Sequence, residues 1–146
     1  MAERIFQDYL DTMSKAVMEQ DYPTYAEGIT LPFTLETATG LSVIEEDAAL
    51  RQGFDVFQDL LKTQGVTDMI RLTLSAAFQG NDEIAGRYTT HLLRNGARVS
   101  EPFASRMIIR QEDGQWRCRE IRNELAVRKW PIHDTRVSAA AQSPTQ

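Results

Sequence analysis

Apolar and polar residues alternate through Ile70, Leu72, Leu74, Ala76 and Phe78, the period of a strand with one buried face. A turn over 79–82 follows, and a second strand pattern covers 84–93. It ends at Asn95-Gly96, the strongest short hairpin signal, because both residues accept the positive φ of a type I′ turn. A third strand is expected over 98–110. Glu112-Asp113-Gly114 then turns the chain into a fourth, which opens at Gln115-Trp116 and reaches Leu125. Upstream the period becomes helical. Ile5, Phe6, Tyr9, Leu10, Met13, Ala16 and Val17 share one face of a long helix, with Glu3, Asp11 and Lys15 opposite. Asp21 and Pro23 fit the cap and first turn of a short second helix that carries Tyr25 and closes at Gly28. A strand follows over 31–37, with Pro32 expected at its start or on a sheet edge because it has no N–H to give. Gly40 permits the turn into a short strand over 41–44. Glu45, Glu46 and Asp47 favour the start of a third helix. Its apolar stripe is Leu50, Phe54, Phe57 and Leu61, and Gly65 closes it.

Helix, short helix, hairpin, helix and a meander of long strands is an α+β order: a curved, mostly antiparallel sheet wrapped around N-terminal helices. Such a curl forms a cone with an internal pocket between the layers. The chain has 146 residues, enough for one domain, expected over 1–131. The remaining 132–146, rich in Ala, Ser, Thr and Gln after Trp130-Pro131, reads as a flexible tail.

A net charge of -5 argues against nucleic acid as a partner, since a phosphate backbone is met by a basic field. Cys118 is the single cysteine, so it forms no internal disulfide and reads as a small buried residue in a reducing compartment. No Cys/His cluster suggests a metal, no cofactor is implied, and no apolar run is long enough to cross a membrane. The expected location is cytoplasmic.

The element order, together with the segment from Leu31 to Gly40, Gly65-Val66, Asp113-Gly114-Gln115-Trp116-Arg117 and Ile121-Arg122-Asn123, resembles the nuclear transport factor 2-like superfamily, with its SnoaL-like branch the best likeness. The resemblance extends over about nine tenths of the chain. It implies a cystatin-like α+β cone, an internal pocket and frequent dimers built on the outer sheet face. Members include isomerases, dehydratases, hydrolases, cyclases and proteins that bind without catalysis, so the fold alone does not choose among them. Ketosteroid isomerase chemistry is excluded by matching. Aligning on Asp21 puts that enzyme's tyrosine donor at Met13 and its aspartate base at Thr37, and aligning on Asp113-Gly114 puts its protonated aspartate at Met107. A thioether has no proton to give and a threonine hydroxyl is too weak a base. The same matching turns Thr37, Met107 and Asn123 into the cone.

Alternation then carries Phe103, Ser105 and Ile109 inward with Met107. A two-residue turn at Asn95-Gly96 pairs Phe103 with Tyr88, Glu101 with Thr90 and Val99 with Leu92. Phe33 and Leu35 join this face from the first strand, and Trp116 and Cys118 from the last. A bulge near Glu120 is required to bring Ile121 and Asn123 onto it. Glu101 is the pointed candidate for acid/base work, with Tyr88 or Tyr25 as hydroxyl donor. The alternative puts Glu101 at a solvated rim and the tyrosines in an ordinary aromatic core. His91 alternates outward with Arg87 and Ser100. Arg87, Arg98, Arg106, Arg110, Arg117, Arg119 and Arg122 crowd the long strands, as an anion site or, with Glu112, Glu120 and Glu124, as a charge-laced outer face or dimer surface. Three functions stay open: binding of a small hydrophobic molecule in a largely apolar pocket, a lyase or isomerase acting on a ring-bearing or carbonyl compound, and a homodimeric interaction role through the outer sheet face.

Overall fold

The computed structural model describes residues 1–37 and 39–124; the Trp130-Pro131 pair, the tail and the expected domain boundary at 131 lie outside them. Helix α1 (Ala2–Met18) buries Phe6, Tyr9, Leu10, Met13, Ala16 and Val17, the stripe its spacing predicts. Helix α2 (Tyr22–Glu27) starts where the Asp21 carboxylate accepts from the Thr24 N–H, satisfying a donor that has no partner within the helix. Strands β1 (Ile29–Thr37) and β2 (Gly40–Ile44) form a hairpin ahead of α3 (Asp47–Gln64), which ends on Gly65 at φ 70°. Strands β3 (Asp68–Phe78), β4 (Glu83–Arg94), β5 (Ala97–Arg98), β6 (Phe103–Glu112) and β7 (Gln115–Asn123) complete the chain.

Among the described residues the strands make one seven-stranded sheet in the order β2-β1-β7-β6-β4-β3, with β5 beside β4. All pairings are antiparallel except β1 with β7. The sheet is curved and unclosed. Helix α1 lies across β3 and β4, and the core fills the space between them. Pro32 sits inside β1, next to an interior position of the sheet, and the β1–β7 register shifts between Ile29 and Thr34, so the ladder is interrupted where proline has no donor.

Two expected turns are present, with Asn95 and Gly96 at φ 51° and 87°, and Asp113 and Gly114 at φ 53° and 80°. The expected bulge is present as well: Ile108 faces Glu120 while Ile109 faces Cys118, leaving Arg119 as the extra residue. The expected third strand is divided. Residues 99–102, which include Pro102, belong to no strand, and β4 therefore pairs Thr90 with Phe103 and Tyr88 with Ser105. This register differs from the expected one by two residues, which preserves the face of every side chain.

Strand β3 departs from expectation more deeply. Its register with β4 sets Met69 opposite Leu92, Arg71 opposite Thr90 and Thr73 opposite Tyr88, so Met69, Arg71 and Thr73 share the inner face. Ile70 and Leu72 point outward, and all three apolar residues Ile70, Leu72 and Leu74 are exposed. The register shifts between Thr73 and Ser75, returning Ala76 and Phe78 to the face of Gly86 and Ile84. A single unpaired residue exchanges the two faces, and the alternation in sequence cannot reveal it.

Gln7 of α1 fastens this edge strand. Its Nε2 donates to the Arg71 carbonyl at 2.8 Å, and its Oε1 accepts from the Thr73 N–H and Oγ1, each at 2.8 Å. The carboxamide stands in for a peptide group of a neighbouring strand on an otherwise open edge.

Candidate functional site

Of the residues expected to line the cone, Phe33, Tyr88, Thr90, Ser105 and Met107 are buried. Leu35, Phe103, Trp116 and Asn123 are half-buried, and the Thr37 side chain lies outside the described residues. The Ser105 hydroxyl donates to Asn123 Oδ1 at 2.7 Å, so these polar groups satisfy one another across the β6–β7 pair. The space over them is filled from α1 and α2. Phe6 is fully buried, its ring 6.1 Å from that of Tyr88 and pressed on the backbone of Gly86. Tyr9 donates to the Gly28 carbonyl at 2.6 Å, and Tyr22 to Asp47 Oδ1 at 2.7 Å. Tyr22 and Tyr25 both pack on Phe54, with centroids 5.3 and 5.0 Å away.

Glu101 does not face Thr90. It is exposed in the link between β5 and β6, because the third strand pattern is broken at Pro102, while Tyr88 is opposite Ser105. The acid/base pair proposed from sequence is therefore not assembled by the sheet. His91 is on the outer face, as alternation indicates, its Nε2 3.1 Å from Thr89 Oγ1. The outer arginines are largely matched by acids: Arg87 and Arg106 by Glu124, Arg110 by Asp82, Arg119 by Glu83, and Arg122 by Glu36 and Glu120. Arg87 meets Glu124 through two bonds of 2.6 and 2.9 Å, which hold the Glu124 carboxyl below its ordinary range. This face is charge-laced, while Arg98 and Arg117 take part in none of the ion pairs among the described residues.

Arg71 went unnoticed in the sequence because the alternation assigned it to solvent. It enters beneath α1, with its guanidinium carbon 6.0 Å from the centre of the Tyr88 ring, a cation–π distance. Burial pushes the hydroxyls of Tyr9, Tyr25 and Tyr88 up, that of Tyr25 to about 12, and the positive charge of Arg71 opposes the rise at each. Burial likewise pushes the Cys118 thiol up to about 12. Arg71 takes part in none of the ion pairs among the described residues. Its Nε is buried without an acceptor, and so are the hydroxyl of Ser14, a residue only 6% exposed, and, on the outer face, the Nε of Arg117. Arg71 and Ser14 line one hollow of about 240 Å³ between α1 and the start of β3, which also touches Met18, Met69 and Ile70 and has Asp11, Lys15 and Asp68 at its sides.

A second hollow, of about 370 Å³, lies on the outer face among Ala85, Arg87, Arg106, Ile108 and Arg122. Beside it run the exposed Ile70, Leu72 and Leu74, at 43%, 48% and 50%. Among the described residues, no group of three or more His, Cys, Asp or Glu side chains could hold a metal ion, and no helix is long and apolar enough to cross a membrane.

No family model matches the chain, and no curated protein matches it in sequence. Solved structures do match. A nuclear transport factor 2-like protein of unknown function from Shewanella oneidensis has a TM-score of 0.65 at 10% identity, over 84% of this chain and 98% of that one. A protein of unknown function with a cystatin-like fold from Nostoc punctiforme has 0.61 at 18% identity, over 82% and 86%. A nuclear transport factor 2-like protein of unknown function from Pseudomonas putida has 0.61 at 10% identity, over 84% and 85%. At such identities the likeness shows the fold alone.

Proposed function

On the premise that this chain is a nuclear transport factor 2-like cone, we propose that it binds a small molecule, in the hollow between α1 and β3. One observation carries this: Ser14 and Arg71, which hold the buried, unpartnered Oγ and Nε, line the same hollow. Folded proteins leave few buried donors unpaired, and each costs about 1–3 kcal/mol. Two such donors lie on residues that line one hollow, where a turn of either side chain presents them to an acceptor. Met18 and Met69 supply apolar wall, as small-molecule sites require. The residues first assigned to the ligand, Phe33, Tyr88, Thr90, Ser105 and Met107, are buried in the core and do not line this hollow. The lone thiol of Cys118, buried and unpaired, suits a reducing cytoplasm.

The test is thermal denaturation of the full chain against a panel of small acceptor-bearing compounds, repeated with Ser14→Phe, which fills the hollow. A concentration-dependent rise in Tm that disappears in the variant supports the proposal; no rise with any compound, or a rise unchanged in the variant, refutes it.

Self-association through the outer sheet face is a second role, favoured by the exposed row Ile70, Leu72 and Leu74 beside a charge-balanced surface. Exposed apolar patches of this kind mark contact surfaces.

A further inference from the structure

We propose that the free edge of β2 pairs with the β2 edge of a second copy of this chain, so that one sheet runs through two molecules. This contact is separate from the outer-face role and goes beyond the binding role proposed above. Among the described residues the two ends of the sheet are β2 and β3, and an end strand presents a row of N–H and C=O groups that can bond another strand. The β3 end is guarded. Gln7 of α1 bonds Arg71 and Thr73 there, and the register shift between Thr73 and Ser75 bends the strand. The β2 end has no such guard. Gly40, Leu41, Ser42 and Val43 are all exposed, the register with β1 is unbroken, and the strand holds no charge and no proline, the devices by which edges are ordinarily blunted. Leu41 and Val43 are 59% and 52% exposed.

The partner follows from the register. A two-residue loop closes on a hydrogen-bonded pair, here Thr37 and Gly40, and bonded and non-bonded pairs alternate along an antiparallel ladder. Gly40, Ser42 and Ile44 therefore bond to β1, while Leu41 and Val43 turn their N–H and C=O to the open side. An antiparallel second copy of β2 matches these groups when the two Ser42 residues face each other. Leu41 of each molecule then exchanges N–H···O=C bonds with Val43 of the other, so every one of the groups is bonded. The side chains agree with the backbone. Leu41 and Val43 stand opposite Glu36 and Thr34 on one face of the sheet, so each leucine meets the other molecule's valine there and both lose exposed apolar surface. Charge does not oppose the pairing, because the first acid beyond the strand, Glu45, falls opposite Thr39 and not opposite another acid. Five residues span only about 17 Å, too little to bury about 800 Å² on each side, so the pairing is weak and grows with concentration.

Ser42 supplies the test, since opposite residues of a non-hydrogen-bonded pair have Cα atoms about 4.5 Å apart, within the range that a disulfide spans. In the full chain at high concentration with oxidised glutathione, Ser42→Cys is expected to crosslink two molecules at least about 10-fold faster than Leu41→Cys, whose counterpart lies two residues along the strand. Cys118 is buried and takes no part. Val43→Pro removes an edge N–H without touching the bonds to β1, and added to Ser42→Cys it lowers crosslinking to the Leu41→Cys level. The crosslink persists in the Ile70→Lys and Leu72→Lys background, which separates the edge from the outer face. Equal rates at the two positions, a faster rate at Leu41, or a rate that Val43→Pro leaves unchanged overturns the pairing. Hydrogen exchange of the unsubstituted chain gives a second reading: protection of the Leu41 and Val43 amides is expected to rise with protein concentration. Full protection at high dilution assigns the edge to the chain's own residues 125–146, and free exchange at every concentration leaves it to a partner of other sequence; each overturns a second copy as the occupant.

Discussion

Gly86→Ala tests how the inside of the cone is filled. A Cβ built at this position lies 2.5, 2.6 and 2.7 Å from Cζ, Cε1 and Cε2 of Phe6, whereas carbon atoms settle at about 3.5–4.0 Å. The ring must retreat by about 1 Å, yet Phe6 has no exposed surface and its ring is already against Tyr88. Overpacking of this order costs about 1–3 kcal/mol. Losing glycine also stiffens the unfolded chain, which stabilises the variant by about 0.4–1 kcal/mol; the clash is the larger effect. A net loss of about 1–2 kcal/mol corresponds to a fall in Tm of roughly 3–6 °C for a chain of this size. The diagnostic measurement is the double-mutant cycle with Phe6→Leu. Phe6→Leu alone is expected to lose about 1–2 kcal/mol through the space it opens. In the pair, the new methyl enters that space, so the two losses are not additive, with a favourable coupling of about 1–2 kcal/mol. Urea denaturation at several temperatures reads all four proteins. A Gly86→Ala protein as stable as the parent, or losses that simply add, would mean that the ring does not occupy the inner face at Gly86.

The paired substitution Ile70→Lys and Leu72→Lys is expected to convert a dimer into a monomer by light scattering while changing unfolding by less than about 0.5 kcal/mol per site; a parent protein already monomeric rejects the interface. Gln7→Glu keeps the acceptor for Thr73 and removes the donor for the Arg71 carbonyl, so it should cost about 1–3 kcal/mol at neutral pH, and an unchanged urea midpoint contradicts that role. Cys118 should resist a thiol reagent at pH 8 until the chain unfolds, because its thiol is buried and pushed up to about 12; rapid modification of the native protein refutes the assigned burial. The alkaline limb has a definite sign: Cys118 and Tyr25 keep their protons to about pH 12 when folded, against ordinary values of 9.0 and 10.0. The unfolded chain therefore deprotonates first, and stability is full below about pH 9, falls as pH rises toward 12, and levels off beyond it. A urea midpoint flat from pH 9 to 11 would contradict this.

The helices and turns were legible because their signals are local. The spacing of Phe6, Tyr9, Leu10, Met13 and Val17 determines a helical face without reference to any other part of the chain, and Asn95-Gly96 and Asp113-Gly114 contain the backbone freedom their turns use. The inner face of β4, β6 and β7 was legible for a related reason: once Met107 is turned inward, period two carries Tyr88, Thr90, Phe103 and Ser105 with it, even across a register error of two. The bulge at Arg119 followed from parity, since Cys118 and Ile121 cannot share a face without an extra residue between them. The break at residues 99–102 was missed even though it contains Pro102, and with it the exposure of Glu101.

Strand β3 shows why the proposed binding hollow was not legible. Alternation divides a strand into two faces but does not say which one meets the core, and apolar content is normally the deciding vote. Here that vote fails: Met69, Arg71 and Thr73 are turned toward α1, and Gln7 holds the strand there by its backbone. The exposed row has its own energetic consequence. Ile70, Leu72 and Leu74 each keep about half of their surface in water, and covering all three on both copies of a homodimer recovers about 4–8 kcal/mol. Association of two proteins costs about 4–15 kcal/mol in lost freedom, so the row alone leaves little or no surplus. A stable interface covers about 800 Å² on each side and must therefore extend over Thr89, Ala104 and Ile108, which are half-buried on the same face, toward the paired arginines. The reversal in β3 thus turns an apolar row outward and a cation toward the core, so the proposed binding hollow and the proposed interface depend on one register. Shifting the strand by one residue would bury the row, expel Arg71 and abolish both.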